Sequence, residues 1–217
     1  MTDIHVTYQW VKSSKGGSTE LVRREAVLDG IGGENRGDFL DHIEELKNLD
    51  VRQLRMEDNR LIDLEPIAQI ANLEVLRIAG NEIVDVSPLA RLTHLQILDL
   101  GRNANLSSVA PLAGLHELEE LNIFRTRVGD LEPIATLPAL KKLNISDTLI
   151  TDLAPLTEMP ALREIQIFGF GEVERGTDDW NILVDLLTRG VRVDAHGVGK
   201  MITAASQLRD QRKNLDS

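Results

Sequence analysis

The sequence predicts an α/β solenoid: a stack of thin turns, each giving one short strand to a parallel concave sheet and one short helical turn to the convex side. Three observations predict it. Five prolines, Pro66, Pro88, Pro111, Pro133 and Pro155, recur 22, 23, 22 and 22 residues apart. Each follows the same phrase, a run of apolar residues spaced L-x-x-L-x-L and closed by Asn or Thr. Apolar content is 42% but aromatic content only 3%, so the core has to be built from Leu, Ile, Val and Ala, as thin stacked layers require.

The copies align residue by residue. Val51, Leu54, Met56 and Asn59 form the first; Leu73, Leu76, Ile78 and Asn81 the second; Leu95, Leu98, Leu100 and Asn103 the third. Leu118, Leu121, Ile123 and Thr126 follow, then Leu140, Leu143, Ile145 and Thr148, and a partial sixth keeps Leu162, Ile165 and Ile167. Side chains alternate across a strand, so L-x-L sends two residues inward and one outward. Proline suits the start of the helical turn, where a missing N–H costs nothing. The asparagines are expected to form an internal ladder, each amide serving backbone groups of adjacent turns. Thr126 and Thr148 replace them later, so the ladder is expected to weaken toward the C-terminus. Asp63, Asp85, Asp130 and Asp152, with Ser108 in the third repeat, recur where a side-chain oxygen can cap the following turn.

This pattern resembles the leucine-rich-repeat family, in its 22-residue bacterial, internalin-like class, over about residues 51–169. The resemblance implies a recognition surface on the concave side that holds another protein without catalysis.

A solenoid needs caps at both ends. Residues 38–50 are read as an N-terminal helical cap, with Phe39, Leu40, Ile43 and Leu46 as its apolar stripe. Residues 170–217 are read as a C-terminal cap and tail: a helix opened by Asp178-Asp179-Trp180 with Trp180, Leu183, Val184 and Leu187 inward, Gly190 as its stop, and a strand at Val191–Val193. The tail from Lys200 either packs back as a helix or frays. Residues 1–37 are read as a β-hairpin and glycine-rich connector: Ile4, Val6, Tyr8 and Trp10 alternate, Ser13 to Ser18 turn, and Glu20 to Leu28 return. An isolated hairpin is marginal in water, so it must dock, and docking on its own first repeat is expected rather than docking on another protein.

The formal charge is −11, which weighs against nucleic acid, because a polyanion gains nothing from counterion release. No stretch approaches the roughly 20 apolar residues of a membrane span. Met1 to Trp10 lacks the basic start and apolar run of a signal peptide. The expected location is therefore cytoplasmic, with export by a route needing no cleaved signal as the alternative. The chain has no cysteine, which removes thiolate metal sites and cysteine nucleophiles. Gly30, Gly32 and Gly33 form no dinucleotide loop, since Asn35 stands where the third glycine belongs. Gly199-Lys200 fails as a phosphate loop, because Met201 replaces the required Ser or Thr. The five histidines show no ligand spacing. No catalytic residue, metal or cofactor is expected.

A partner would meet the x positions of the repeats, such as Arg52, Gln53, Arg55, Glu57 and Asp58, then Glu74, Val75, Arg77, Ala79 and Gly80. Across six repeats these positions hold eight basic and eight acidic residues, so the negative excess lies elsewhere and the face is mixed in sign. Phe124 and Phe168 share one column with Ser146 between them, about 9.6 Å apart. Exposed aromatics beside arginines are common hot spots. The expected partner-binding set is Phe124, Arg125, Arg102, Phe168, Asn122, Asn144 and Arg77. For Phe168 the rival reading is that it covers the solenoid end together with Phe170. The alternative ligand is a carbohydrate or cell-envelope component stacked on the two phenylalanines.

Overall fold

The computed structural model describes residues 4–12, 19–28, 46, 51–171 and 173–195. They form a single nine-stranded sheet in sequence order: β1 (Ile4–Lys12), β2 (Thr19–Leu28), β3 (Gln53–Arg55), β4 (Val75–Arg77), β5 (Ile97–Asp99), β6 (Glu120–Asn122), β7 (Lys142–Asn144), β8 (Glu164–Ile167) and β9 (Arg192–Ala195). β1 and β2 are antiparallel, and every later pairing is parallel.

Register follows from the buried column. Leu54, Leu76, Leu98, Leu121, Leu143, Ile165 and Val193 stand side by side across seven strands, all essentially inaccessible to water. Because side chains alternate along a strand, slipping any one strand by a residue would turn its leucine to solvent. On the convex side, short turns at Ile67–Gln69, Ser87–Arg91, Ala110–Gly114 and Ala154–Glu158 are 3₁₀, and α1 (Glu132–Ala135) is one α turn. Pro88, Pro111, Pro133 and Pro155 lie in the first turn of their segments, and Pro66 lies just before its own.

The caps of these turns are as expected. Asp63, Asp85, Asp130 and Asp152 each accept, through Oδ1, the backbone N–H two residues on, at 2.8–2.9 Å. Ser108 does the same for Ala110 through its hydroxyl at 3.2 Å. The Ser87 hydroxyl also donates to Asp85, and these bonds hold the Asp85 carboxyl below its ordinary pKa.

The asparagine ladder forms and then stops. Asn81 Oδ1 accepts from the buried N–H groups of Asn59 and Leu61, while its Nδ2 donates to the Met56 and Ile78 carbonyls. Asn103 likewise accepts from Ile83 and donates to Ile78 and Leu100. Thr126 and Thr148 reach only the carbonyl three residues back in their own turn. Their hydroxyls are too short to bridge to the preceding repeat.

At the N-terminal end β2 pairs in parallel with β3, Ala26 opposite Leu54, so the hairpin extends the solenoid's own sheet. A bulge falls between Gln9 and Trp10. Of the expected N-terminal cap helix only Leu46 is among the described residues; it is helical and fully buried. The glycine connector, Gly199-Lys200 and the tail from Lys200 lie outside the described residues. At the other end, α2 (Asp178–Thr188) opens on the expected aspartates, with Thr177 as N-cap accepting from Trp180 N–H at 3.2 Å. It buries Trp180, Leu183, Val184 and Leu186; Leu187 is only partly covered, a correction of one helical position. Gly190 takes φ +90° and releases the chain into β9.

Candidate functional site on the concave face

The outward residue of each central strand position forms a row: Arg55, Arg77, Asp99, Asn122, Asn144, Gln166 and Asp194. Of these, Arg77, Asp99, Asn122, Asn144 and Gln166 lie on the floor of a groove of about 230 Å³, whose walls include Glu120, Lys142 and Glu164. The local bonding along the row is repetitive. Asp99, Asn122 and Asn144 each turn Oδ1 to the backbone N–H two residues later, at 3.0 Å, on Gly101, Phe124 and Ser146. Asn122 Nδ2 also donates to Asp99 Oδ1 at 2.9 Å. Asp99 is half-buried, and burial raises its carboxyl pKa, while the Gly101 N–H, Arg77 and the Asn122 amide oppose the rise.

Most charges on this face are already matched. Arg52 pairs with Glu74 at 2.6 Å, Lys141 with Glu119 at 2.6 Å, Lys142 with Glu120 at 2.5 Å and Arg192 with Glu164 at 3.2 Å. Three donors differ. Among the described residues, the side chains of Arg77 and Gln166 and the Nδ2 of Asn144 make no hydrogen bond or ion pair, though all three residues are half-buried.

Each strand ends on a left-handed residue just before the ladder position: Asp58, Gly80, Arg102, Arg125, Asp147 and Gly169. The glycines are needed there twice over. A Cβ on Gly80 would lie 2.0 Å from Asp58 Oδ1, and one on Gly169 would lie 2.2 Å from Asp147 Oδ1. Across Gly80, Arg102 reaches Asp58 at 3.1 Å. Arg125 reaches Asp147 at 3.2 Å and lies over the Phe124 ring, 4.8 Å from its centroid.

The seven expected residues therefore divide. Arg77, Asn122 and Asn144 meet on the groove floor, while Phe124, Arg125, Arg102 and Phe168 lie beyond the strand ends. Phe168 is 40% exposed, whereas Phe170 is partly buried against the core. Ser146, between the two aromatic positions, is buried and accepts the Phe168 N–H at 3.0 Å. One expectation fails: not every x position faces out, since Val75, Ala79, Gly101 and Ser146 are buried. Their small or β-branched side chains sink between larger neighbours on adjacent strands. Glu120, Lys142 and Gln166 are outside the expected set; Gln166 is in register with Asn144, and Glu120 and Lys142 face the same way two residues before Asn122 and Asn144.

A second hollow, of about 400 Å³, lies where the last repeats meet α2 and is lined by Ile150, Phe170, Val173 and Asp179. Burial, then Asp152, raises the Asp179 carboxyl pKa, against an opposing Leu153 N–H. Among the described residues no group of three or more His, Asp or Glu could hold a metal ion. Nor is any helix among them long and apolar enough to cross a membrane.

Parallel register, one strand per turn and a concave row of outward residues define a leucine-rich-repeat solenoid. Residues 71–114 and 116–158 match the family model described as Leucine Rich repeats (2 copies). Its fold is similar to that of an internalin (InlF) of Listeria monocytogenes, at 24% identity and TM-score 0.57, covering 80% of this chain and 54% of the other. Internalin C2 (InlC2) of the same organism matches at 25% identity and TM-score 0.49, over 81% and 80% of the two chains. A leucine-rich-repeat protein of Leptospira interrogans matches at 23% identity and TM-score 0.52, over 56% of this chain and 32% of that one. The chain thus spans about half the length of the first of these. No curated protein sequence matches it.

Proposed function

We propose that this protein is a non-catalytic scaffold that holds a partner protein on its concave face. The observation that carries the reading is the groove floor, where Arg77, Asn144 and Gln166 offer donors with no partner inside a face whose other charges are largely neutralised. Water reaches these donors, and a ligand whose acceptors match them takes the place of that water. Phe124 and Phe168 add apolar contact beside the groove, with Arg102 and Arg125 as paired rim charges. A cytoplasmic setting, without nucleic acid or membrane, belongs to the same reading.

The carbohydrate alternative is weaker on one count. Arg125 lies over a face of Phe124 that a stacked sugar ring would need. The test is capture from cell extract by the intact chain, by Phe124→Ala/Arg125→Ala, and by Arg91→Ala on the convex side, with mass spectrometry of what is retained. A protein held by the intact chain and Arg91→Ala but lost from the double variant supports the reading. Equal retention by all three overturns it.

A further inference from the structure

The two edges of the nine-stranded sheet are unlike. β9, at the C-terminal edge, is four residues long, and Arg192 and Asp194 make half of it charged. β1, at the other edge, is nine residues long, with no proline and one formally charged residue, Lys12, at its very end. Ile4, Val6, Thr7, Tyr8, Trp10 and Val11 are β-branched or aromatic, the residue types that favour strand pairing. Short length, charge, proline and bulges are the usual means of keeping a sheet edge from pairing with another chain. The hairpin's bulge does not serve that purpose here. Gln9 faces Arg23 and Trp10 faces Leu21, so the extra residue is Val22 on β2, and β1 runs on without a break.

The hairpin is also thin where it leaves the solenoid. β2 pairs with β3 only from Glu25 to Val27. The pairs from Tyr8–Arg24 to Lys12–Thr19 lie beyond β3, so among the described residues that half of the hairpin is a sheet of two strands. Two strands alone are marginal in water, and further strands make such a sheet stable.

We propose that β1 is the interface of a homodimer, in which a second copy of the chain lays its own β1 antiparallel alongside, about a twofold axis through Tyr8. Tyr8 is the midpoint of the strand, so this register is the one that pairs its whole length. It sets Ile4 opposite the partner's Lys12, His5 opposite the partner's Val11, Val6 opposite the partner's Trp10 and Thr7 opposite the partner's Gln9. No like charges meet, because Lys12 is the one formally charged residue of the strand and faces an isoleucine. Where each copy alone has two strands, the pair has four, β2 and β1 of one copy followed by β1 and β2 of the other.

The contact closes on itself, because the same edge serves both copies, and the short charged β9 at the far edge offers no second site for growth. Directly opposite residues of an antiparallel pair share a face, so the axis stands perpendicular to the sheet and both concave faces look to the same side. The dimer presents two concave faces together, while its formation does not depend on what either of them binds.

The test is sedimentation velocity of the full chain from about 1 to about 200 μM. A species of twice the 24.1 kDa of one chain is expected to fill with concentration, half-populated at or below about 100 μM. His5→Lys/Val11→Lys sets like charges opposite each other on both sides of the axis and should weaken association at least about tenfold. Within the hairpin these positions face Val27 and Glu20, so neither substitution meets a like charge there. His5→Glu/Val11→Lys turns both contacts into opposite charges and should restore the dimer, with circular dichroism checking that both variants fold. A monomer across the whole range overturns the proposal, as does a dimer indifferent to His5→Lys/Val11→Lys. Loss of the dimer in both variants alike overturns it too, because the effect would then lie in the hairpin's own fold rather than in the pairing of two copies.

Discussion

Gly80 stands at φ +69° between Asp58 and Arg102, in a column where four neighbours, Asp58, Arg102, Arg125 and Asp147, take the same left-handed turn with full side chains. What distinguishes Gly80 is space, because the Asp58–Arg102 pair closes over it. Gly80→Ala should cost about 1–3 kcal/mol, read as a lower urea midpoint, whereas Gly114→Ala, with open space around it, should cost far less. Equal shifts would show that crowding at Gly80 is relieved by movement of Asp58. Asp99 supplies a pH test. Its folded pKa is raised above the ordinary 3.8, chiefly by burial. The fold therefore binds that proton more tightly, and the stability it contributes is present below 3.8 and lost as pH rises through the folded value. Asp99→Asn should accordingly raise the urea midpoint at neutral pH, with the gain fading as pH falls through the folded value and gone below 3.8. A gain independent of pH would remove ionisation as its cause.

Between repeats, the difference between Asn and Thr becomes a difference in coupling. Asn81 serves two buried N–H groups of the preceding repeat, so Asn81→Ala should cost about 3 kcal/mol. Thr126→Val removes one bond within its own turn and should cost about 1 kcal/mol. Amide exchange should then show the turns after Thr126 opening at lower free energy than those stitched by Asn81 and Asn103. Uniform protection from β3 to β8 would mean that the leucine column, not the ladder, sets cooperativity. At α2, Thr177→Ala removes the N-cap acceptor of Trp180 and should cost about 1 kcal/mol in thermal or urea unfolding.

Across the described residues the core is one continuous apolar column, in which each layer covers the next. The end layers matter most. A chain stopped after residue 171 would lose β9 and α2, uncovering Ile165 and Met159 beneath them. It should give little soluble folded protein by size-exclusion chromatography and far-ultraviolet circular dichroism. A soluble product with unchanged cooperativity would show that the sixth repeat seals itself. The N-terminal end is treated differently, since β2 adds a strand beside β3 and leaves the antiparallel β1 as the sheet edge.

The repeat, its register, the proline turns, the aspartate caps and the fading ladder were all legible from sequence, because each follows from one residue type recurring at one spacing. Leu54 to Ile165 must face inward together or the strands slip, and threonine at the ladder position bonds only within its own turn. The face was legible only as a set of columns. Which positions sink, such as Val75, Ala79 and Ser146, depends on what the next strand presents beside them. Which donors make a direct bond is decided by neighbours far apart in sequence: Asp99 bonds Gly101 and Asn122 and meets Arg77 only at longer range, while Asp58 crosses Gly80 to take Arg102. The sequence by itself determined the stack, since periodicity is local, and only the tertiary structure decided the site, since pairing across turns is not.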